Sequence, residues 1–272
     1  MSTVHRSRLR PKRSLGQNFL RDDNIARKIV AAIDPQPDNV MLEIGPGEGA
    51  LTRYLIPGVQ MLIAVDVDQR VINHLRSAFA APHVTFLHQD FLTTDLAALA
   101  GTARLRVAGN IPYNITSPIL FHLLDHREHV MDITLMVQKE VARRLAASPK
   151  TKDYGILSVF CQIFADVNLL FDVSPNAFVP KPKVVSSLVH LDILGTPRFA
   201  VSDVAFFRRM VRSIFGKRRK TLRNSLSYFM KEFDTTVPPY ADLQRRPEEL
   251  SIQQLVQLSN DLYTHVHNLA TS

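Results

Sequence analysis

The feature that most constrains the fold of this chain is a regular alternation of short apolar runs with amphipathic stretches over residues 40–193. Seven runs have the length and composition of strands, and helix-like stretches separate most of them. The runs read VMLEIG, MLIAVDV, VTFLHQD, RLRVAGN, ITLMVQ, LLFDVS and VVSSLVHLDI. This alternation predicts an α/β fold with a seven-stranded, mostly parallel, doubly wound sheet. The segment NAFVPKPK between the last two runs is too short for a helical crossover, so we expect those strands to pair antiparallel, with one reversed strand at the sheet edge.

The strand pattern stops after residue 196. The segments that follow, FFRRMVRSIF, KTLRNSLSYFMKEF and PEELSIQQLVQLSNDLYTHV, are amphipathic and helix-like, with prolines between them. A chain of 272 residues is long enough for one or two domains. We therefore expect an α/β domain over residues 1–196 and a small all-α domain over residues 197–272.

Positive charge is concentrated in two segments. Residues 1–30 carry a net charge of +6, residues 204–231 carry +9 without any acidic residue, and the rest of the chain sums to −7. A mildly acidic body with two basic segments favours a nucleic-acid partner, because each Lys or Arg that contacts a phosphate releases condensed counterions. A solvated helix face is the alternative explanation for a short charge run.

Several classes of protein and site are disfavoured by composition. The single cysteine, Cys161, cannot form an internal disulfide, and three histidines at helical spacing (His122, His126 and His129) lack an accompanying carboxylate or thiol motif, so we expect no metal. No apolar run approaches the roughly 18 residues of a membrane span. The basic first twenty residues resemble a mitochondrial transit peptide in composition, but they run into a block assigned below to the active site. We expect a cytoplasmic protein without a membrane partner.

A glycine-rich turn follows the first predicted strand, with the sequence EIGPGEGA over residues 43–50. Glycines let backbone amides approach a ligand closely, and the following helix start favours negative charge. Asp66 ends the second predicted strand, where its carboxylate can accept hydrogen bonds from both hydroxyls of a ribose. The pattern predicts a nucleotide-like cofactor without identifying it, since GPGEGA also satisfies the G-x-G-x-x-A pattern of dinucleotide enzymes. A tight turn without a ligand also remains open.

The ends of two later predicted strands indicate which cofactor and substrate this site binds. The third predicted strand ends near Asp90, where a carboxylate can accept from the exocyclic amine of a bound adenine. The fourth ends in Asn110, Ile111, Pro112 and Tyr113, which resembles the N-P-P-Y-type motif of methyltransferases acting on exocyclic amines. An asparagine oxygen and a backbone carbonyl that accept from both N6 hydrogens would counteract delocalisation of the amine lone pair. The tyrosine ring offers a face on which an extruded base can stack.

The chain resembles the ribosomal RNA adenine N6,N6-dimethyltransferase (dimethyladenosine transferase) family, specifically its small-subunit branch. The resemblance rests on seven blocks in family order: KRSLGQNFL, LEIGPGEGALT, NIPYNITSPILFHLL, MVQKEVARRL, YGILSV, NAFVPKPKVVSSLV and FGKRRKTLRNSL. It implies a Rossmann-like class I methyltransferase fold and S-adenosylmethionine as cofactor. It also implies transfer of two methyl groups to each of two adjacent adenosines in the hairpin loop near the 3′ end of small-subunit (16S) rRNA. The implied setting is biogenesis of the small subunit, on a pre-30S particle, with the protein a monomer.

The resemblance also assigns roles to individual residues of this chain. It places cofactor contacts on Asn18, Leu20, Gly45, Asp66, Asp90 and Asn110, and the glycine loop adds Gly47 as an expected cofactor contact. Contacts to the target adenine fall on Asn110, the backbone carbonyl of Ile111, Tyr113 and Phe178. The basic segment Lys217, Arg218, Arg219, Lys220 and Arg223 is expected to contact rRNA phosphates, with residues 217, 220 and 223 sharing one face if the segment is helical.

Three positions depart from the usual family residues. Asp66 stands in place of glutamate, Ile111 in place of leucine, and Glu48 in place of a non-acidic residue. We expect the shorter Asp66 to reach a ribose less directly and Glu48 to add negative charge beside the cofactor's carboxylate, whereas Ile111 acts through its backbone.

Three other functions remain open from the sequence. A large-subunit rRNA dimethylase would share the family's motifs, although the FGKRRKTLRNSL block and the LGQNFL form favour the small-subunit branch. A nicotinamide oxidoreductase would explain GPGEGA but neither the NIPY turn nor the basic segments. A ribosome-assembly factor would keep the fold without catalysis.

Overall fold

The computed structural model describes residues 9–240 and 243–270 of the chain. The strands are β1 (Phe19–Leu20), β2 (Val40–Ile44), β3 (Met61–Asp66), β4 (Val84–His88), β5 (Leu105–Asn110), β6 (Val130–Gln138), β7 (Ala165–Val173), β8 (Phe178–Val179) and β9 (Ser186–Ile193). The α-helices are α1 (Asp23–Ile33), α2 (Thr52–Leu55), α3 (Gln69–Ala78), α4 (Leu96–Ala100), α5 (Thr116–Asp125), α6 (Lys139–Leu145), α7 (Ile156–Phe164), α8 (Val204–Phe215), α9 (Leu222–Met230) and α10 (Ile252–Ala270).

Seven strands form one sheet in the order β4-β3-β2-β5-β6-β9-β7. The first five of these strands pair in parallel, and β9 pairs antiparallel with β6. The predicted class of fold, a seven-stranded and mostly parallel α/β sheet, is confirmed. Since successive strands run outward in both directions from β2, the carboxyl ends of β2 and β5 border the crevice where ligands bind in sheets of this kind.

The reversed strand is not at the edge of the sheet, so that detail of the sequence prediction is wrong. Strand β9 lies between β6 and β7, and β7 is the edge strand. The order follows from burial, because Leu188, Val189 and Leu191 of β9 are fully buried whereas most residues of β7 are exposed or half-buried. Ser187 near the start of β9 contacts Asp172 near the end of β7, and Asp192 near the end of β9 contacts Asn168 near the start of β7. These contacts indicate the expected antiparallel pairing.

A second, two-stranded sheet was not predicted. It joins β1 to β8 in an antiparallel pair, with Phe19 opposite Val179 and Leu20 opposite Phe178. Two residues on each side are too few for a sequence pattern to reveal. The pairing fixes the N-terminal block beside the segment between β7 and β9.

The chain divides into two compact units. The first consists of residues 1–142 and 167–193 and contains the large sheet; the second consists of residues 143–166 and 194–272. The sequence places a domain boundary after residue 196, three residues beyond the observed division after residue 193, but it also assigns residues 143–166 to the first domain. Aromatic contacts explain their grouping with the helices, since the ring of Phe160 lies 5.8 Å from that of Phe207 and the ring of Tyr154 lies 5.9 Å from that of Phe215.

A buried ion pair fixes the end of α1 in the first unit. Arg106 Nε on β5 lies 2.8 Å from Asp132 Oδ2 on β6, and both side chains are about one-tenth exposed. The same guanidinium donates to the backbone oxygens of Ile33 and Asp34, where α1 ends. These bonds satisfy carbonyls that a helix end leaves without an intrahelical partner.

Among the helices of the described residues, none is both long and apolar enough to cross a membrane.

Candidate active site

A cavity opens at the carboxyl ends of β2, β3 and β5, in the first unit. Five segments line it: residues 15–20, the glycine loop 43–51, residues 65–67, residues 89–92 and the turn 110–115. All seven predicted cofactor residues, which are spread along the sequence, therefore surround one space: Asn18, Leu20, Gly45, Gly47, Asp66, Asp90 and Asn110. The parallel pairing of neighbouring strands brings these segments to one edge of the sheet.

The glycine loop requires backbone that other residues rarely adopt. Gly45 and Gly47 have φ angles of 65° and 56°, in the left-handed region. A Cβ atom on Gly47 would lie 2.9 Å from the ring of Phe19, which is closer than packed atoms approach. Position 47 therefore requires glycine, because both its backbone conformation and the packed Phe19 ring exclude a side chain.

Asp66 ends β3 with its side chain turned to the cavity. Only 9% of the residue is exposed, and its Oδ1 accepts the backbone N–H of Asp68 at 2.8 Å. Burial raises the pKa of Asp66 to about 6, with the hydrogen bond from Asp68 acting in the opposite direction. Near neutral pH the group is mostly ionised and can accept hydrogen bonds.

Asp90 caps a short 3-10 helix after β4. Its Oδ1 accepts the backbone N–H of Leu92 at 3.0 Å, and the residue is exposed. This local bond fixes the carboxylate at the cavity rim, as predicted from its place after the third strand of the sequence pattern.

A buried glutamate at the end of β2 went unassigned in the sequence. Glu43 is 1% exposed, lines the cavity and accepts a hydrogen bond from Thr52 Oγ1 at 2.7 Å. Burial raises the pKa of Glu43 to about 7. An acidic residue inside the apolar run VMLEIG was the available signal, because charged groups are rarely buried without a partner.

Asn110, the last residue of β5, has a fixed amide orientation. Its Nδ2 donates to the backbone oxygen of Asn18 at 3.0 Å. Because a carbonyl oxygen only accepts, the amide nitrogen must face Asn18, and Asn110 Oδ1 is turned away from it and is available as an acceptor. The side chain of the next residue, Ile111, is 2% exposed, which leaves its backbone as the part that can act in the cavity.

Tyr113 lines the same cavity with a half-buried ring. Its hydroxyl lies 2.5 Å from Oγ of Ser186, a fully buried residue at the start of β9, and burial raises the pKa of the phenol. The hydrogen bond fixes the tilt of the ring from behind. Ser186 was not predicted, because its proximity to Tyr113 arises only when β9 pairs with β6.

Phe178 is not among the residues that line the cavity, and its contact with the target adenine stays a prediction. The residue is 2% exposed and packs in the core with Leu20, Ile29 and Val173. Its pairing with Leu20 in the two-stranded sheet brings the two side chains into the same buried cluster.

The predicted RNA-contacting residues lie in the second unit. Residues 217–220 form a turn between α8 and α9, so the expected common helix face for residues 217, 220 and 223 is wrong; only Arg223 is helical. A glycine and the N-cap Thr221 break the helix there.

The turn instead directs its lysines at an exposed tyrosine. Lys217 Nζ lies 4.0 Å and Lys220 Nζ 5.2 Å from the ring centre of Tyr228, which is 43% exposed. Lys231 Nζ lies 6.0 Å from the same ring, and Lys220 donates to the phenol oxygen at 3.2 Å. This basic cluster, Lys217, Lys220, Lys231 and Tyr228, contains two residues that the sequence did not single out.

Within residues 9–240 and 243–270, no group of three or more His, Cys, Asp or Glu side chains is arranged to hold a metal ion.

Comparison with known proteins gives a consistent family. The model of the family described as "Ribosomal RNA adenine dimethylase" matches residues 8–262. A protein of Chlorobium phaeobacteroides (strain BS1) named "Ribosomal RNA small subunit methyltransferase A" is 46% identical over 253 residues, covering 92% of this chain and 93% of its own. A protein of the same name from Geobacter metallireducens (strain ATCC 53774 / DSM 7210 / GS-15) is 47% identical over 222 residues, covering 80% and 81%.

Two solved structures are similar over most of the chain. A dimethyladenosine transferase from Plasmodium falciparum aligns with a TM-score of 0.77 and 24% identity, covering 90% of this chain and 98% of its own. The 23S rRNA methyltransferase ErmE aligns with a TM-score of 0.65 and 26% identity, covering 90% and 100%. The first similarity supports the class I methyltransferase fold.

Proposed function

The chain belongs to the ribosomal RNA adenine dimethylase family, and we propose that it acts on small-subunit rRNA, where it dimethylates N6 of two adjacent adenosines in the 3′-terminal hairpin loop. It is an S-adenosylmethionine-dependent rRNA (adenine-N6,N6)-dimethyltransferase, as predicted from the seven blocks. The observation that carries the proposal is the turn after β5, where Asn110 presents a fixed acceptor oxygen beside the glycine loop. The family match leaves the nicotinamide oxidoreductase without support.

The residues around the cavity fit S-adenosylmethionine. Gly47 lines the cavity without a side chain, so its backbone can approach a ligand closely. Asp66 offers an ionised carboxylate for ribose hydroxyls, and Asp90 offers one for an exocyclic adenine amine. Asn18 and Leu20 also line the cavity. When bound, the cofactor supplies a methyl group activated by a sulfonium.

The protein's part in the reaction is to hold the target amine. Asn110 Oδ1 and the Ile111 carbonyl accept from the two N6 hydrogens, which keeps the nitrogen lone pair directed at the methyl position. Both hydrogen bonds strengthen as positive charge develops on N6. One N6 proton is lost to solvent after the methyl group has been transferred. Positioning therefore does most of the work, and a strong base is not required.

Tyr113 receives the extruded adenine on its ring face. Stacking of a base on an aromatic side chain contributes about 1 to 3 kcal/mol. The hydrogen bond to Ser186 keeps the ring from turning during capture. With Phe178 buried, Tyr113 carries this role in the proposal.

The basic cluster of the second unit supports a grip on rRNA. Lys217, Lys220 and Lys231 converge on Tyr228 without a carboxylate partner among the described residues. Such uncompensated charge attracts phosphate, and an exposed ring beside it can stack on an unpaired base. Arg218, Arg219 and Arg223 add positive charge to the same stretch of sequence.

Methylation of isolated subunits tests the substrate. Labelled S-adenosylmethionine is incubated with unmethylated small subunits and, in parallel, with large subunits, and the product nucleosides are mapped. We expect N6,N6-dimethyladenosine at two adjacent positions in small-subunit rRNA only. Label in large-subunit rRNA would establish the alternative that the similarity to ErmE raises. Binding without methyl transfer would support a non-catalytic assembly factor.

Salt dependence of binding tests the RNA grip. Replacing Lys217, Lys220 and Arg223 by glutamine should make the plot of log binding constant against log salt concentration less steep. Each lost phosphate contact should reduce its slope by about 0.7 to 0.9. Lys152→Gln is the control, because that lysine is exposed and belongs to the same unit. A slope equal to that of wild type would assign RNA binding to the basic N-terminal residues instead.

We also propose that the protein acts as a monomer in the cytoplasm, on a pre-30S particle.

A further inference from the structure

The N-terminal segment, defined here as residues 9–21, forms part of the cavity wall without much structure of its own. It contains a three-residue 3-10 helix and the two-residue strand β1. Its residues 15–20 line the cavity. Elements this short do not hold a chain in place by themselves, so the position of the segment depends on contacts with other parts of the unit.

Glu48 of the glycine loop contacts both ends of this segment. Its Oε1 accepts the backbone N–H of Leu9 at 2.8 Å, and its Oε2 lies 2.9 Å from the guanidinium of Arg21. The Arg21 side chain is 20% exposed and the Glu48 side chain is 14% exposed. An ion pair this shielded from water is screened less than a surface pair, and removing one partner leaves the other charge poorly solvated.

Asp68, which follows β3, holds the middle of the segment. Its carboxylate accepts from Lys12 Nζ and from Gln17 Nε2, both at 3.2 Å, and its side chain is 1% exposed. The side chain of Arg70 also donates to Asp68 at 2.6 Å and to the backbone oxygen of Arg10 at 3.3 Å. Hydrogen bonds from Arg70, and after it from Gln17 and Lys12, hold the pKa of Asp68 below its usual range, so the group remains ionised.

The held part of the segment contacts the two groups on which the site depends. The backbone oxygen of Asn18 fixes the amide of Asn110, and the ring of Phe19 covers Gly47 of the glycine loop. Displacement of the segment would therefore release the acceptor that holds the target amine and open the wall beside the cofactor.

We propose that Glu48 and Asp68 are positioning residues that hold the basic N-terminal segment as one wall of the cofactor site. The inference rests on the proposed cofactor site, and it gives a role to Glu48, the acidic residue that departs from the usual family pattern. Neither carboxylate needs to contact the cofactor. Each acts through the segment, with Asn18 and Leu20 as the residues it places at the cavity.

Hydrogen–deuterium exchange of the ligand-free protein tests the contact directly. In Glu48→Gln the amide oxygen can still accept from Leu9 while the ion pair with Arg21 is lost. Lys12→Gln removes the pair with Asp68 without disturbing the cap of α3 that Asp68 provides. We expect both variants to exchange faster than wild type over residues 9–21. The matched control is Lys139→Gln, which breaks a 2.5 Å ion pair with Asp172 in the same unit and should leave exchange of the segment unchanged.

Cofactor affinity gives the second readout. Calorimetry should show S-adenosylmethionine binding weakened about threefold to tenfold in Glu48→Gln, the range for a partly shielded ion pair. A double variant with Arg21→Gln should bind no more weakly than the weaker single variant, since both remove one interaction.

Two results would overturn the proposal. Exchange over residues 9–21 that stays at the wild-type rate in both variants shows that the carboxylates do not hold the segment. Weaker binding in Glu48→Gln with unchanged exchange shows that Glu48 acts on the cofactor directly. Failure of the wild-type protein to bind S-adenosylmethionine would refute the proposed cofactor site instead, and the exchange comparison would still decide the role of the two carboxylates.

Discussion

Replacement of Asn110 by alanine should lower methyl transfer far more than it lowers RNA binding. The change removes the Oδ1 acceptor for the target amine, and loss of one preorganised polar contact of this kind costs about 2 to 4 kcal/mol of transition-state stabilisation. At 1.36 kcal/mol for each factor of ten, kcat should fall about 30- to 900-fold.

The same substitution also removes the hydrogen bond from Nδ2 to the backbone oxygen of Asn18. Asn18 is half-buried, so water can replace part of that bond, and its net contribution should be about 0.5 to 1.5 kcal/mol. This smaller loss should appear as weaker S-adenosylmethionine binding, because Asn18 lies in the wall of the cofactor cavity.

Asn110→Asp separates the two effects. The carboxylate keeps an acceptor for the amine but cannot donate to Asn18, so we expect a smaller loss in kcat than for alanine and a similar or greater loss in cofactor affinity. Single-turnover transfer to unmethylated small subunits measures the first quantity, and calorimetry measures the second. An alanine variant with kcat within about threefold of wild type would refute the assigned role of Asn110.

Three further predictions concern the same cavity. Gly47→Val should abolish S-adenosylmethionine binding in a folded protein, because its side chain would displace the ring of Phe19 in the cavity wall and strain a loop held at positive φ. Unchanged affinity by calorimetry would reduce the loop to a simple turn. Because burial raises the pKa of Asp66 to about 6, this carboxylate becomes protonated as the pH falls from 7 to 5.5, and cofactor binding should weaken over that range. An Asp66→Asn variant should bind the cofactor weakly at every pH and lack this pH dependence. Tyr113→Phe and Ser186→Ala should each lower kcat mildly, because both remove the same hydrogen bond and leave the stacking face of the ring, and their effects should not add in the double variant. A loss in Tyr113→Phe as large as that in Tyr113→Ala would show that stacking is the wrong explanation.

The sequence by itself determined the large sheet and the position of most site residues along the chain. Alternation of apolar runs with amphipathic stretches depends only on local periodicity, which is why the strands and most helices could be predicted. Asp66, Asp90 and Asn110 each stand at the end of such a run, and parallel strands bring their carboxyl ends to one edge. The family blocks then supplied the cofactor and the chemistry.

The tertiary structure decided what depends on contacts between distant residues. The insertion of β9 between β6 and β7 follows from burial on both faces, and it alone places Ser186 behind Tyr113. The pairing of β1 with β8 buries Phe178, which no local pattern indicates. The hold of Glu48 on Arg21 likewise joins residues far apart in the chain, because a carboxylate's partners are set by the fold and not by its neighbours in sequence.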